Sequence, residues 1–282
     1  MRLVLAVRTL SATLALLSAY SFAVAAEPVT IQFGGAVNGA PFECGRGYDG
    51  VGANKSTITS EDFRFYVHDV RLVDAAGAEH LLELDQQTKW QIERTALIDL
   101  ENKAGDCSNG TAETNFQVRG TVDAGGPWKG LRFTLGVPFN RNHTDLARMP
   151  APLNLTAMAW TWNAGRRFAR LDVKSGEGFA IHLGSTGCMP NTTPTVLPTS
   201  CSSPNRATID LPGFNPAKDV VVADLGRLLA STRVDQNALD TPGGCRSEPE
   251  DSDCAGIFAN LGLPFGAGPA GPQKFFVTGP KE

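Results

Sequence analysis

Histidine is the side chain of this sequence whose possible chemistry is easiest to follow, because only four occur among 282 residues. His68 lies within an alternating apolar segment, His143 in a polar segment after an apolar one, and His182 shortly before a cysteine. His80 occupies a polar, turn-like segment and is expected to be exposed. Any one of them, taken alone, is more often a hydrogen-bonded structural residue. Two or three that converge at one end of a sheet would form a copper or zinc site, since both metals favour imidazole ligands.

Segment 153–162 is the second chemically distinctive stretch, because Met158, Trp160 and Trp162 alternate along it. If the segment is a strand, the three side chains share one face. One interpretation is packing in the core of a sheet. The other is a thioether and an oxidisable indole beside a redox metal.

The six cysteines form an even set without any CxxC pair, which is typical of structural disulfides in an oxidising compartment. Zinc ribbons, thioredoxin sites and covalent haem attachment are not indicated. Short intervening segments favour the pairs Cys188–Cys201 and Cys245–Cys254, which leaves Cys44 with Cys107.

The elements that must position these residues are predicted to be β-strands. Short alternating apolar segments recur between Gly, Pro, Asn and Asp, which is typical of an antiparallel sandwich or barrel. The prediction is an all-β antiparallel β-sandwich with one short helix at 224–232 and long disulfide-tied loops, one of them at 189–204. The predicted strands are 29–33, 61–72, 81–84, 95–100, 117–122, 131–137, 153–162, 168–173, 179–183 and 274–277.

Residues 1–26 have the pattern of a secretory signal peptide. Arg2 and Arg8 precede and interrupt an apolar stretch, and Ala23-Val24-Ala25 offers a small-residue cleavage site. We therefore predict export to an oxidising compartment, with residues 27–282 forming one domain. After cleavage no segment is apolar for long enough to span a bilayer.

Composition and motifs exclude several classes of function. The net charge of −4, without a Lys/Arg block, argues against nucleic-acid binding. No P-loop, HExxH, GxSxG or EF-hand pattern occurs. Two alternatives to a metal protein remain open. One is a glycan-binding module that stacks Trp128, Trp160 and Trp162 on sugar rings, and the other is a hydrolase that uses His143 and Asp145 with a serine.

Five sequence blocks, taken together and in this order, resemble the MbnP-like family, the exported four-cysteine proteins of the so-called metallo-mystery pair. They extend over nearly the whole chain after the signal peptide. The blocks are DFRFYVHDVRLVD (62–74), LRFTLGVPFNRNHTD (131–145), PLNLTAMAWTW (152–162), IHLGSTGC (181–188) and TPGGCRSEPEDSDC (241–254).

This resemblance implies a periplasmic, largely β protein that handles copper and does not turn over a substrate. It implies a mononuclear copper site with histidine ligands, for which His143 and His182 are the first choices and His68 the third. It also implies a di-haem partner of the MbnH type that oxidises a tryptophan beside the copper to kynurenine. Trp160 or Trp162 would be that residue, and Met158 would be a weaker neighbour of the site.

The sequence departs from the family pattern at two places near these residues. Gly165-Arg166-Arg167-Phe168 stands where an aromatic-rich GYKF is expected, and Arg246 stands where a methionine is expected after the first C-terminal cysteine. If that methionine is a ligand in relatives, the site of this chain is altered.

Overall fold

The computed structural model of the protein describes residues 26–123, 125–160, 164–190 and 196–281. Residues 1–25 of the predicted signal peptide and Trp162 lie outside the described residues. None of the helices in the described ranges is long and apolar enough to cross a membrane.

Strands account for most of the regular structure, as the alternation of apolar residues predicts. The elements are β1 (Glu27–Val37), β2 (Ala40–Pro41), β3 (Gly47–Val51), β4 (Ser56–Ser60), β5 (Arg64–Asp74), β6 (Glu79–Leu81), β7 (Glu83–Leu84), β8 (Gln91–Ile92), β9 (Thr95–Asp99), β10 (Gln117–Val122), β11 (Trp128–Leu135), α1 (Phe139–Asn142), β12 (Ala169–Arg170), β13 (Val173–Lys174), β14 (His182–Leu183), β15 (Thr186–Met189), β16 (Ser200–Ser203), β17 (Ala207–Pro212), β18 (Asp219–Asp224), α2 (Leu225–Leu229), α3 (Cys254–Leu261) and β19 (Phe276–Pro280).

Two sheets form the sandwich. The six-stranded sheet has the order β19-β18-β1-β10-β7, with β2 paired to β1. The eight-stranded sheet has the order β14-β12-β5-β11-β17, with β6 and β9 also on β5 and β8 on β9. The strand pairs are antiparallel except β1 with β18. The predicted antiparallel sandwich is therefore confirmed, with one parallel pair that local patterns do not reveal.

The inner faces of the two sheets meet through aromatic rings. Phe33 of β1 contacts Phe65 of β5 and Phe133 of β11 edge-on, at centroid distances of 6.0 and 5.8 Å. Phe276 of β19 contacts the same two rings at 5.4 and 5.2 Å. Edge-to-face pairs at these distances stabilise a core beyond the burial of their area.

The outer face of β5 is also buried, although it carries polar residues. Arg64, Tyr66 and His68 alternate with Phe65 and Val67, and all five are at most 6% exposed. The described residues of segment 138–168, which we call the covering segment (138–160 and 164–168), pack against this face at Tyr66, whose hydroxyl donates to the Pro152 carbonyl at 2.7 Å. The region that holds the candidate ligands therefore lies between β5 and the covering segment.

The predicted strand 153–162 is wrong over the residues that the structure describes. Thr156–Met158 is a turn of 3-10 helix, and Ala159 forms only an isolated bridge with Arg166. The backbone folds back at once, because Trp160 N donates to Gly165 O at 3.1 Å and Arg167 N donates to Met158 O at 3.0 Å. Alternation of apolar residues alone does not distinguish this tight return from a strand.

The structure also differs from the prediction at one loop and in having helices besides the predicted one. The segment predicted as a loop at 189–204 begins and ends in the β15–β16 hairpin. One short helix was predicted, and α2 confirms it, since Asp224 caps its start by accepting from Gly226 N at 2.8 Å. The helix α3 was not predicted; its signal in the sequence is Ile257, Phe258 and Leu261 followed by Gly262, which adopts φ 73°.

Candidate metal centre and its surroundings

His143 directly follows α1, at the start of the covering segment. Its side chain is 3% exposed, and the ring lies edge-on to Phe139 at 5.6 Å. The helix begins after Pro138, whose carbonyl accepts from Arg141 N and Asn142 N. The apolar strand β11, the proline and one helical turn thus carry the imidazole from the sheet into a buried position.

Arg166 fixes the backbone around His143. Its guanidinium is buried and donates to the carbonyls of Leu153 at 2.9 Å, Asn142 at 2.8 Å and Thr144 at 3.2 Å, and also to that of Arg141. The last carbonyls of a helix have no partner within the helix, and here one cation satisfies several of them. Burial lowers the pKa of this guanidinium from its ordinary value.

The Asn142 side chain connects Arg166 to the imidazole of His143 by hydrogen bonds. Its Oδ1 accepts from Arg166 N at 2.9 Å, so its Nδ2 is the atom that faces His143 Nε2 at 3.1 Å. An amide nitrogen can only donate. The lone pair of His143 is therefore on Nε2, which is the atom that a metal would take.

The Cys188–Cys201 disulfide lies against that nitrogen. Cys201 Sγ is 3.7 Å from His143 Nε2, and the two sulfurs and the nitrogen lie within 4.8 Å of one another. Among the described residues, His143, Cys188 and Cys201 form the one group of at least three His, Cys, Asp or Glu side chains whose ligand atoms are close enough to hold one metal ion. In the disulfide the sulfurs are not thiolates, so His143 is the member of this group that could ligate a metal in the oxidised protein.

His182 is held by an aspartate. Its Nε2 lies 3.0 Å from Asp172 Oδ1 as an ion-pair contact, and both ring nitrogens are buried without a hydrogen bond of good geometry among the described residues, so Nδ1 has no partner of either kind there. Burial lowers the pKa of the imidazole, despite the opposing attraction of Asp172. A carboxylate on one nitrogen and a free lone pair on the other is the usual arrangement of a metal-binding histidine.

His68 has the same kind of surroundings at another position. Its Nδ1 lies 2.9 Å from Asp69 Oδ2, and its Nε2 is buried without a partner among the described residues. Burial also lowers the pKa of this imidazole. Each of the two histidines therefore fits a metal ligand chemically.

The three candidate histidines do not form one compact cluster. In the strand register His182 is paired with Arg170, and Arg170 is paired with Arg64. His182 is therefore level with Arg64 of β5, two strands away across the sheet. His68 is four residues further along β5, about 13 Å at the rise of a strand. The described residues contain no group in which ligand atoms of His68, His143 and His182 all lie within 4.8 Å.

A buried ionic network extends from His182 into the sheet. Arg170 Nε lies 2.8 Å from Asp172 Oδ2 and 3.0 Å from Asp62 Oδ2, and Asp62 also pairs with Arg64. Burial raises the pKa of Asp62 to about 6, against the lowering effect of the arginines. The network holds Asp172, and through it the ring of His182, in one orientation.

Trp160 borders a cleft of about 530 Å³. The other lining residues include Cys188, Met189, Arg246 and Glu248. The Arg167 guanidinium lies 5.9 Å from the indole and donates to the Ala159 carbonyl at 2.7 Å. Arg167, from the first departure from the family pattern, and Arg246, the second, therefore both lie near Trp160.

The position of the Trp160 indole requires a glycine two residues after His182. A Cβ on Gly184 would come within 2.3 Å of Trp160 Cζ3 and within 3.0 Å of the Arg166 carbonyl. Trp160 is thus packed against the strand end that carries His182. Met158 is fully buried in the hydrophobic core, and Trp162 lies outside the described residues.

The remaining histidine belongs to a different part of the surface. His80 is on β6, where its Nε2 lies 3.1 Å from Asp74 Oδ2 and its ring lies 5.5 Å from Trp128. Trp128 is only 6% exposed. A row of exposed stacking tryptophans, which the glycan-binding alternative requires, therefore cannot include it.

Sequence reasoning missed the residues that hold the histidines. Asp69 follows His68 directly and could have been noticed, whereas Asp172 reaches His182 only through the pairing of strands. Arg166 stands out in the sequence only as part of the segment Gly165-Arg166-Arg167-Phe168, which departs from the family pattern. The disulfides Cys44–Cys107, Cys188–Cys201 and Cys245–Cys254 are the pairs favoured by loop length.

Comparison with known proteins shows which family the chain resembles in sequence and in structure. A family model of MbnP matches residues 26–247, which include His68, His143 and His182. The solved structure of MbnP from Methylosinus trichosporium superposes with a TM-score of 0.80 at 27% identity, over 92% of this chain and 100% of that chain. A search of curated proteins found no match.

Proposed function

Because this chain belongs to the MbnP family, we propose that it binds copper through His143 and His182 in the region of Trp160. The observation that carries this proposal is the state of His182. Its ring is buried and held by Asp172, and its Nδ1 has no partner among the described residues. An unpartnered buried acceptor costs free energy that a metal ion would recover. His68 has the same features and remains the third candidate.

The proposal extends to export, partner and modification. Residues 1–26 are a signal peptide, the protein acts in the periplasm, and it handles copper without catalysing a reaction of its own. A di-haem protein of the MbnH type oxidises Trp160 or Trp162 to kynurenine. The open side of Trp160 supports access for such a partner, since the indole borders a cleft.

Copper analysis of the exported protein tests the ligand set. We expect about one copper per chain after purification from the periplasm without chelator, and its loss in His143→Ala and His182→Ala. His80→Ala is the matched control, because His80 also contacts an aspartate but lies on a different part of the surface. Unchanged copper in both ligand variants would refute the assignment.

Intact mass and peptide mapping test the modification. We expect a mass change on the peptide that contains Trp160 and Trp162 when the di-haem partner is co-expressed, and none without it. Trp160→Phe and Trp162→Phe, examined separately, identify the modified residue. A peptide that stays unmodified in the presence of the partner would contradict this part of the proposal.

A further inference from the structure

We propose that Cys188 and Cys201, once their disulfide is reduced, form with His143 a Cu(I) site that the oxidised protein lacks. This site shares His143 with the proposed copper site but uses neither His182 nor a tryptophan. Copper in the reduced protein would therefore be held by two thiolates and one imidazole. The disulfide acts as the redox switch between the two ligand sets.

The three ligand atoms are already close together. His143 Nε2 lies 3.7 Å from Cys201 Sγ, and all three atoms lie within 4.8 Å of one another. Metal–sulfur bonds of about 2.3 Å and metal–nitrogen bonds of about 2.0–2.1 Å put ligand atoms roughly 3.5–4 Å apart around one ion. Little movement beyond separation of the two sulfurs is needed to bind the ion.

Strand pairing keeps the cysteines together after reduction. Cys188 and Cys201 are direct partners in the β15–β16 ladder, which continues to Thr186 with Ser203 and Met189 with Ser200. Residues directly opposite in an antiparallel pair have Cβ atoms about 4.5–5.5 Å apart, a span that two thiolates and one metal can bridge. The hairpin is a separate two-stranded sheet, so opening its disulfide leaves both sandwich sheets paired.

Accessibility favours reduction of this disulfide. Cys188 and Cys201 are both partly exposed and Cys188 borders the cleft beside Trp160. In contrast, Cys245 and Cys254 are buried, as is Cys107 of the remaining pair. A reductant that attacks from solvent therefore reaches Cys188–Cys201 before the Cys245–Cys254 disulfide.

The chemistry balances with a dithiol as reductant. Its two S–H groups become a disulfide, and Cys188 and Cys201 each receive one electron and one proton as their S–S bond breaks. Binding of Cu(I) then releases both thiol protons, without any change in the oxidation state of copper. Thiolates select Cu(I), and the lone pair of His143 Nε2, which now accepts from Asn142, supplies the nitrogen ligand.

Anaerobic titration with Cu(I) tests the proposal on the whole exported chain. The oxidised and the phosphine-reduced protein are compared by the ultraviolet thiolate-to-copper absorption band. We expect the band only after reduction, with saturation at about one Cu(I) per chain. Cys188→Ser/Cys201→Ser should abolish it, whereas the matched variant Cys245→Ser/Cys254→Ser should keep it.

Two further variants separate this proposal from the preceding one. His143→Gln should retain the thiols, as counted by a thiol reagent, but lose Cu(I) to a competing chelator more readily. His182→Ala should leave the band of the reduced protein unchanged. Circular dichroism of each variant verifies folding. An absent band in the reduced protein, or an equal band in folded Cys188→Ser/Cys201→Ser, would overturn the thiolate site without affecting a copper site in the oxidised protein.

Discussion

Aspartates determine which nitrogen of a buried histidine can bind a metal. Asp172 lies against Nε2 of His182, and Asp69 lies against Nδ1 of His68, so opposite nitrogens are left with lone pairs. His143 is oriented by an amide instead of a carboxylate. The three candidates thus differ in the charge of the group that supports them, although all are buried and two have a lowered pKa.

Asp172→Asn should weaken copper binding while His182 is retained. The change removes the negative charge that raises the basicity of the ring, and such substitutions cost about 10–100-fold in metal affinity. Competition against a chromophoric copper chelator measures the effect. Asp74→Asn, which alters the partner of His80, is the control and should leave the affinity unchanged. Equal affinities in both variants would argue that His182 is not a ligand.

At the scale of elements, the covering segment 138–168 packs on the outer face of the larger sheet. It packs against Tyr66 of β5 and carries both His143 and Trp160. Arg166 connects its two ends, since it donates to carbonyls at Arg141, Asn142 and Thr144 and also at Leu153. Arg166, which departs from the family pattern, therefore stabilises the covering segment of this chain through these hydrogen bonds.

Arg166→Lys should destabilise the protein and release His143. A lysine cannot reach the same set of carbonyls, and each buried carbonyl left without a donor costs about 1–3 kcal/mol. Urea denaturation should give a lower free energy of unfolding by roughly 2 kcal/mol or more. Arg148→Lys in the same segment is the control, because its side chain is 88% exposed. A stability equal to that control would contradict the role assigned to Arg166.

At the scale of the whole molecule, the sandwich combines an aromatic interior with an ionic network on the covered face of its larger sheet. Asp99 belongs to the same polar region, close to Arg64, and is 2% exposed. Burial raises its pKa to about 8, although Arg64 lowers it. In the unfolded chain the same carboxyl has a pKa near 3.9.

Asp99→Asn should flatten the dependence of stability on pH. Between pH of about 4 and about 8 the folded protein keeps a proton on Asp99 that the unfolded chain releases, so stability falls as the pH rises through this window. The variant lacks this contribution and should gain stability relative to the original protein as the pH rises toward 8. Urea midpoints over this range measure it, with Asp123→Asn, whose side chain is 88% exposed, as control. An unchanged slope would show that Asp99 is ionised throughout.

The sequence by itself determined the fold class, the strands with clear alternation and the favoured disulfide pairs. Segment 117–122 coincides with β10, because alternation of apolar residues directly reflects a sheet with one buried face. The family resemblance, now confirmed, also rested on local blocks of residues. Alternation failed at 153–162, where hydrogen bonds to Gly165 and Arg167 turn the chain back.

Only the tertiary structure decided how the histidines are held and how far apart they lie. Asp172 reaches His182 because β12 and β14 pair, and Cys201 reaches His143 because a hairpin returns the chain beside α1. These contacts join residues 10 and 58 positions apart in sequence. Local sequence patterns report periodicity and burial, whereas a metal site depends on distances that arise only when separate strands and loops are packed together.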